Sequence, residues 1–241
     1  TMSQYICVDI GGTSIKHGVL DENAIIKECN QTKTEAWLGG AAVLDKVKTI
    51  GKQYKEQYEN IEGICISTAG MVDPEEGKIV FAGELMPGYT GTCIKKELEK
   101  ALEMPCEVEN DVNCAGLAEY ASGSAKESHI MFCAPVGTGI GGCAIVNGRV
   151  FHGASNSACE VGYIPMGDSD FQTLGASSIL VRKVAEKKIE PLDMWDGKKI
   201  FALAEKGDKV CISAIKEMCD VLGKGLATIC YVLNPDTIVL G

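Results

Sequence analysis

Residues 5–20 read "YICVDIGGTSIKHGVL", two apolar-rich runs that are separated by a pair of glycines. The apolar residues 5–10 predict a buried strand, and the pair Gly11 and Gly12 predicts a tight turn. The alternating residues 13–20 then predict an antiparallel return strand, as in a β-hairpin. After the turn "DEN", the run "AIIKE" predicts a third strand, so a three-stranded meander is expected here.

The same arrangement recurs much later in the chain. Residues 130–136 predict a second apolar strand, "GTGIGG" predicts a glycine-rich turn, and Cys143–Val146 is the expected return strand. The dipeptide "NG" is typical of a type I′ turn, and "RVFHG" predicts the third strand. A repeated meander indicates two related halves.

Helical and strand patterns alternate after each meander, which is typical of an α/β protein. Apolar periodicity predicts helices at 42–58, 94–102, 176–187 and 211–232. Short apolar runs predict strands at 63–67, 107–109 and 237–240. We therefore predict two similar α/β lobes, residues 1–118 and 119–241, with the two glycine hairpins facing each other across a cleft, where ligands commonly bind.

Composition excludes several classes of function. The net charge of −10 argues against nucleic-acid binding, which needs clustered Lys and Arg. The 12 cysteines are scattered and form no C-x-x-C pair, so we expect reduced thiols and no zinc held by cysteine. Because no basic leader or membrane-length apolar run is apparent, we expect a cytoplasmic protein without a membrane partner, and we interpret Thr1 as a cloning remnant.

Neither glycine turn is a Walker A loop, because neither matches G-x-x-x-x-G-K-[ST] or leads directly into a helix. Successive backbone N–H groups in a turn with positive φ angles can still form an anion-binding nest, and glycine leaves room for the anion. A single Gly-Gly pair would be interpreted as an ordinary hairpin. Asp9, Thr13 and Lys16 around the first turn, and Thr138 in the second, favour a phosphate-binding role.

The stretch "CEVENDVNCAGLAEY" contains a candidate acid–base residue. A short strand is predicted to end at Glu109, and a helix is predicted to begin near Asn110 and Asp111. The positive end of the helix dipole would favour an ionised carboxylate there. Asp111 is therefore either a helix N-cap, which needs no catalysis, or a proton acceptor.

Four motifs together resemble one family. In chain order, "DIGGTSIK", "ENDVNCAGLAE", "GTGIGG" and "EVGYIPM" are similar to motifs of the ROK family of sugar kinases and repressors. The resemblance implies the actin-like ATPase fold, with a ribonuclease-H-like lobe on each side of an ATP cleft. It also implies that nucleotide phosphates are bound by Asp9, Gly11, Gly12, Thr13, Lys16, Gly137, Thr138, Gly139 and Gly141.

The resemblance further implies an ATP-dependent sugar kinase. Such an enzyme transfers the γ-phosphoryl group to the 6-hydroxyl of a hexose or an N-acetylhexosamine, with Asp111 as the catalytic base. Asp9 would bind Mg²⁺ through water, and its alternative role is structural, at a strand end. The implied sugar-binding residues are Gly70, Asn110, Asp111 and Glu160, with a surface acid as the alternative for Glu160.

Departures from the family pattern refine these expectations. Tyr163 stands where typical members have a histidine, and it either supplies a hydroxyl to the sugar or packs. The following "DSDFQTLGASS" lacks the cysteines of the family's zinc segment, so no zinc site is expected. The zinc-less members that this chain resembles are bacterial N-acetylmannosamine kinases and β-glucoside kinases, and "KIVFAGELMPGYTGT" favours the first of these.

The chain ends at Gly241, directly after a predicted sheet strand, and we interpret it as truncated at its C-terminus. A sugar-sensing ROK repressor is the main alternative function. It is disfavoured because repressors carry a winged helix-turn-helix domain ahead of the first phosphate motif, whereas Asp9 lies near the N-terminus. An inactive or filament-forming relative is the other alternative. Family resemblance and the apolar C-terminal half also predict a homodimer.

Overall fold

The computed structural model describes residues 2–241, which form two compact units that divide between Cys114 and Ala115. The division falls inside the helix Asp111–Ser122, slightly before the predicted boundary at residue 118. Each unit combines a sheet with helices, so the predicted α/β class is confirmed.

The first unit contains one large sheet and helices on its apolar side. Its strands are β1 (Gln4–Ile10), β2 (Ser14–Asp21), β3 (Ile26–Lys33), β4 (Ile61–Thr68), β5 (Met71–Asp73), β6 (Lys78–Phe81) and β7 (Cys106–Asn110). Its helices are α1 (Gly40–Gln57), α2 (Ile94–Leu102) and the start of α3 (Asp111–Ser122). The sheet order is β3-β2-β1-β4-β7, and β5 pairs with β6.

Alternation along the strands decides which face of this sheet is buried. Ile6, Val8 and Ile10 of β1 point into the core. The helices α1 and α2 cover this face with apolar side chains at helical spacing: Val43, Val47, Ile50, Tyr54, Ile94, Leu98 and Leu102. Burial of one such side chain contributes about 1.5–3 kcal/mol. The opposite face carries the intervening residues, among them Cys7 and Asp9.

The second unit has a smaller sheet and more helix. Its strands are β8 (Ile130–Ala134), β9 (Cys143–Val146), β10 (Arg149–Val150), β11 (Pro165–Met166), β12 (Ser169–Asp170) and β13 (Thr237–Leu240). Its helices are the rest of α3, then α4 (Phe171–Gly175), α5 (Ser177–Lys188), α6 (Gly197–Glu205) and α7 (Lys209–Leu233). The sheet order is β10-β9-β8-β13, with a separate β11-β12 pair.

The two large sheets repeat one topology. In each, the first strand of an antiparallel meander also pairs with a later parallel strand, β1 with β4 and β8 with β13. The core of the second unit forms around Phe132, Phe171 and Ile229, and a second apolar cluster includes Leu180 and Trp195. The duplicated meander expected from the sequence is therefore present.

Several element ends differ from the sequence-based expectations. The bounds of α2 and β13 are as predicted. The strand β8 ends before Pro135, which has no N–H for a sheet bond, and β10 is shorter than predicted. Asn147 and Gly148 have φ angles of 49° and 80°, as the predicted type I′ turn requires. None of the helices within residues 2–241 combines the length and apolar character of a membrane span.

Candidate active site

The first glycine turn joins β1 to β2. The Gly11 N–H donates to the Ser14 carbonyl at 3.1 Å, and the buried Thr34 hydroxyl donates to the Gly11 carbonyl at 2.6 Å. Within the described residues, the N–H groups of Gly12 and Thr13 make no hydrogen bond, and both residues are exposed. The turn therefore presents two consecutive backbone donors to solvent.

Glycine is used in this turn for space and not for backbone conformation. The expectation of positive φ angles is wrong here, because neither Gly11 nor Gly12 lies in the left-handed region. A Cβ atom on Gly12 would meet no heavy atom of the described residues within 4 Å. Packing therefore does not require glycine at position 12, and the open space beside its N–H fits an anion that approaches the backbone.

A row of polar side chains crosses the first sheet near the carboxyl ends of its parallel strands. The row consists of Lys16, Asp9, Ser67 and Glu109, which are successive register partners on β2, β1, β4 and β7. Register partners share a sheet face, so this polar row lies opposite the apolar core. The Ser67 hydroxyl donates to Asp9 Oδ1 at 2.7 Å.

The helix α3 begins beside the polar row, and Asn110 caps it. The Asn110 Oδ1 accepts from the N–H groups of Val112 at 2.9 Å and Asn113 at 3.1 Å. Its Nδ2 donates to the Gly70 carbonyl at 2.8 Å and to Asp111 Oδ1 at 3.1 Å. Asn110 thus uses both amide protons and both acceptor positions within the protein. It takes the capping role that was the alternative interpretation of Asp111.

Asp111 occupies the first turn of α3, where its carboxyl group is not needed as the cap. Burial raises the pKa of the Asp111 carboxyl, and the nearby charge of Asp9 adds to the rise. Hydrogen bonds from Val112 and Asn110 act in the opposite direction. The residue is nevertheless exposed to solvent. A carboxyl group that is partly desolvated and still accessible fits a proton acceptor.

Gly70 fixes the position of a neighbouring loop. Its φ is +102°, and a Cβ atom there would lie 2.8 Å from the Phe81 carbonyl oxygen, so both conformation and packing require glycine. The loop at residues 82–92 is anchored by Tyr89, whose hydroxyl lies 2.7 Å from the Thr68 hydroxyl in buried surroundings. Burial raises the pKa of Tyr89 to about 12, so this phenol stays protonated and keeps its hydrogen bond.

The second glycine turn joins β8 to β9. The Gly137 N–H donates to the Gly139 carbonyl at 2.9 Å, and the Gly141 N–H donates to the Pro135 carbonyl at 3.1 Å. The N–H groups of Thr138 and Gly139 make no hydrogen bond with any residue that the structure describes. Neither Gly137 nor Gly139 has a positive φ, so the expected positive φ angles are wrong here too. This turn also offers two consecutive backbone donors.

Side chains from the start of α5 hold the second turn. The Ser177 hydroxyl donates to the Val136 carbonyl at 2.8 Å, and the Ser178 hydroxyl donates to the Thr138 carbonyl at 2.7 Å. The turn's carbonyls are therefore tied to one helix end, which fixes the orientation of its peptide groups.

Glu160 and Tyr163 lie together in the second unit, where the short 3-10 helix Val161–Tyr163 directly follows Glu160. The Tyr163 N–H donates to the Glu160 carbonyl at 3.2 Å. Glu160 is exposed, and Tyr163 is 66% exposed, so the phenol does not pack into the core. Its exposure favours the hydroxyl-donor interpretation over the packing interpretation.

The structure brings the predicted residues together in separate groups. In the first unit, Asp9 and Lys16 share the polar row, and Gly70 and Asp111 are joined through Asn110. In the second unit, the segment that carries Glu160 and Tyr163 packs against the glycine turn. A Cβ atom on Gly162 would lie 2.5 Å from the Ile140 carbonyl oxygen.

The supporting hydroxyl groups of Ser67, Thr34, Ser177 and Ser178 were missed in the sequence. Alternation in "GICIST" places Ser67 on the same face as Cys65, but only the pairing of β4 with β1 brings Ser67 to Asp9. The other three act on carbonyls of distant turns, for which the sequence carries no local signal.

Few side chains of the described residues are placed to ligate a metal ion. Among residues 2–241, no group of three or more His, Cys, Asp and Glu side chains is arranged to hold a metal. Asp9 offers a single carboxylate at the end of a strand, with Oδ1 already accepting from Ser67. This arrangement fits Mg²⁺, which keeps several of its waters and uses few protein ligands.

Comparison with known proteins identifies the family. The sequence model of the ROK family matches residues 5–241. The chain belongs to the ROK family. An uncharacterised protein from Clostridium perfringens is 46% identical over 241 residues, which span 100% of this chain and 81% of that protein. A β-glucoside kinase of Klebsiella pneumoniae is 30% identical over 241 residues, which span 97% of this chain and 79% of the relative.

Solved structures of ROK proteins share the fold. A proposed N-acetylmannosamine kinase from Listeria monocytogenes has a TM-score of 0.88 at 28% identity, over 99% of this chain and 82% of that chain. A ROK glucokinase from Streptomyces griseus, solved with glucose and AMPPNP, has a TM-score of 0.82 at 25% identity, over 99% of this chain and 83% of that chain. This ROK chain therefore has the actin-like ATPase fold of the ROK sugar kinases.

Proposed function

We propose that this ROK protein is an ATP-dependent sugar kinase that transfers the γ-phosphoryl group of ATP to the 6-hydroxyl of a hexose or an N-acetylhexosamine. The observation that carries the proposal is the Asp111 carboxyl group. Asn110 caps α3, so the Asp111 carboxyl group is not needed as the cap. Burial raises the pKa of this Asp111 carboxyl group. A general base is most effective when its pKa is shifted towards the working pH. Relatives named β-glucoside kinase and glucokinase support the reaction class.

Asp111 is assigned the chemical step at the sugar. It accepts a hydrogen bond from the 6-hydroxyl, orients the oxygen, and takes its proton as that oxygen bonds to the γ-phosphorus. The bond from the γ-phosphorus to the β,γ-bridging oxygen breaks, and ADP leaves with the electron pair. Proton acceptance of this kind typically contributes about 10²–10⁴-fold to the rate.

The nucleotide phosphates are assigned to the two glycine turns. The supporting observation is that each turn exposes two consecutive backbone N–H groups, at Gly12 and Thr13 and at Thr138 and Gly139. Lys16 adds positive charge next to Asp9 on the polar row. The proposed phosphate-binding set is Asp9, Gly11, Gly12, Thr13, Lys16, Gly137, Thr138, Gly139 and Gly141.

Asp9 is assigned to the Mg²⁺ that accompanies the nucleotide. When bound, Mg²⁺ neutralises charge on the phosphate oxygens. Asp9 would hold the hydrated ion through water, and the Ser67 hydroxyl fixes the orientation of its carboxylate. No further carboxylate of this chain is assigned to the ion, because Mg²⁺ would need few protein ligands.

The sugar is assigned to Gly70, Asn110, Asp111, Glu160 and Tyr163. Because the Asn110 side chain is fully hydrogen-bonded, direct contact with the sugar would require exchange of one of its bonds. Its main contribution is then to position Gly70 and Asp111. N-acetylmannosamine is the first candidate substrate, supported by the likeness to the Listeria protein, followed by glucose and β-glucosides.

The proposal is tested by a coupled ADP-release assay with glucose, N-acetylmannosamine, N-acetylglucosamine and a β-glucoside. We expect turnover of at least one sugar and phosphorylation of its 6-hydroxyl by NMR. Asp111→Asn should lower kcat by about a hundredfold or more while calorimetry still detects sugar binding. Asp45→Asn, an exposed carboxylate on α1, is the matched control and should keep full activity.

Two outcomes would contradict the proposal at different levels. Substantial turnover by Asp111→Asn would remove Asp111 from the role of base. Sugar binding without turnover by the unmodified protein would favour a non-catalytic ROK relative, such as a sugar-sensing regulator, and a gel-shift experiment at moderate salt would then test DNA binding.

A further inference from the structure

Two thiols face each other on neighbouring strands of the first sheet. Cys7 of β1 and Cys65 of β4 are direct register partners in a parallel pair. Paired strands lie about 4.7–4.9 Å apart, and a disulfide joins Cα atoms about 4.4–6.8 Å apart. Because side chains alternate, both thiols lie on the face opposite the buried Ile6 and Ile64. The backbone therefore already provides the spacing of a disulfide.

The two thiols are chemically unequal. The neighbouring Cys7 thiol lowers the pKa of the Cys65 thiol because it stabilises the thiolate, and burial acts in the opposite direction. Burial raises the pKa of the neighbouring thiols Cys106 and Cys114 to about 12. Cys65 is also exposed to solvent, and Cys7 is partly exposed. Cys65 is thus the accessible thiol that ionises more readily.

The thiol pair adjoins the polar row. Two residues farther along each strand are Asp9 and Ser67, which are hydrogen-bonded at 2.7 Å. A bond between the two sulfur atoms would therefore adjust the spacing of β1 and β4 directly beside Asp9.

We propose that Cys7 and Cys65 form an oxidative modification site, at which a hydroperoxide converts the two thiols into a reversible disulfide. The Cys65 thiolate attacks a peroxide oxygen, which gives a sulfenic acid and, after protonation, water or an alcohol. The Cys7 thiol then gives up its proton and attacks this sulfur, and the sulfenic oxygen leaves as water. The two sulfur atoms lose two electrons in total, and the peroxide gains them. A dithiol reverses the step by exchange and becomes a disulfide itself.

The disulfide is expected to lower sugar phosphorylation by about tenfold or more, because small displacements of groups near the reacting atoms have large effects on rate. This consequence rests on the proposed kinase function. Formation of the disulfide does not, and it is measured separately.

The test exposes the folded protein to hydrogen peroxide, then denatures it and alkylates the thiols that are left. Mass spectrometry should find two of the 12 cysteines protected, and the peptides that contain Cys7 and Cys65 joined. Dithiothreitol should restore both thiols. Cys7→Ser and Cys65→Ser should each abolish this cross-link.

Cys29 provides the matched control. It lies in the same row across the sheet as Cys7, but β2 separates them, with Gly18 between, so the two sulfur atoms are too far apart to bond. Cys29→Ser should therefore form the Cys7–Cys65 cross-link like the unmodified protein. If Cys7→Ser or Cys65→Ser folds poorly, the peptide map of the unmodified protein alone decides whether the disulfide forms.

Several outcomes would overturn the inference. Absence of the cross-link, a Cys7–Cys114 link in its place, or sulfinic acid on Cys65 without a link would each reject the site. A cross-link that leaves turnover unchanged would confirm the site and reject its effect on activity. If the reduced protein phosphorylates no sugar, the proposed function fails, while the mass measurement still decides the disulfide.

Discussion

The two glycine hairpins share a backbone plan but differ in their surroundings. The first turn lies between strands that carry Asp9 and Lys16 as register partners. The second hairpin, residues 130–146, contains no charged residue, and its carbonyls are held by Ser177 and Ser178. Each turn nevertheless leaves two consecutive N–H groups without a hydrogen bond to the described residues.

A duplicated fold therefore need not duplicate its chemistry. Around the first turn, charge and a buried anchor at Thr34 accompany the backbone donors. Around the second, neutral hydroxyl groups orient peptide groups without adding charge. We therefore expect charge-changing substitutions to act at the first turn and geometric ones to act at both turns.

Among substitutions in the two hairpins, the largest effect should come from removing a charge that only the first hairpin has. Asp9→Asn keeps the shape of the side chain but loses the carboxylate, and interactions of charged groups are worth about 1.5–3 kcal/mol. We expect kcat to fall by about 10–100-fold, with a higher Mg²⁺ requirement. Steady-state assays across a Mg²⁺ series measure both, and Asp45→Asn is the control. An unchanged Mg²⁺ requirement would restrict Asp9 to a structural role.

The next largest effect tests the consecutive backbone N–H donors that both hairpins have. A Cβ atom at Gly12 or Gly137 meets nothing within 4 Å among the described residues, so Gly12→Val and Gly137→Val should fold normally. A valine side chain would still obstruct phosphate at the backbone donors, and we expect KM for ATP to rise about tenfold in each, or about 1.4 kcal/mol. Gly197→Val is the control, because that position is equally open. Normal ATP kinetics in one variant would remove that turn from the phosphate site.

A smaller effect, on stability, distinguishes the hydroxyl groups that hold the two turns, Thr34 at the first and Ser177 at the second. Thr34→Val leaves the Gly11 carbonyl without its buried donor, and we expect a loss of about 1–3 kcal/mol in the free energy of unfolding. Ser177→Ala removes a half-buried donor to Val136 and should cost about 1 kcal/mol. Urea unfolding measures both. Thr49→Val, which removes an exposed hydroxyl group of α1, is the control. Equal losses of unfolding free energy for Thr34→Val and Ser177→Ala would contradict the expected difference between these two hydroxyl groups.

The smallest effect concerns pH. The base Asp111 must be ionised to act, so kcat/KM should fall as pH decreases through its pKa, which burial raises above the ordinary value for Asp. The charge of Asp9 adds to this rise, so Asp9→Asn should shift the acid limb to lower pH. A pH profile of the residual activity checks the direction. A shift to higher pH would mean that the two carboxyl groups do not interact as described.

Local patterns predicted much of the fold but only part of the site. The meanders, α2 and the Asn147–Gly148 turn follow from alternation, helical periodicity and turn chemistry, which act between close neighbours in the chain. The positive φ angles expected at the glycine turns are absent, because the bare backbone there serves space and not conformation. Glycine has both uses, and the sequence does not distinguish them.

The α/β class, the repeated hairpins and the residues that resemble ROK motifs could be predicted from the sequence, because these depend on residue type and short spacing. The folded chain was needed to see that Asn110 is the cap that leaves Asp111 available, and that Cys7 faces Cys65. Strand register and helix capping join residues that are distant in the chain or compete for the same position. Their outcome depends on the packing of the whole unit and not on any single stretch of sequence.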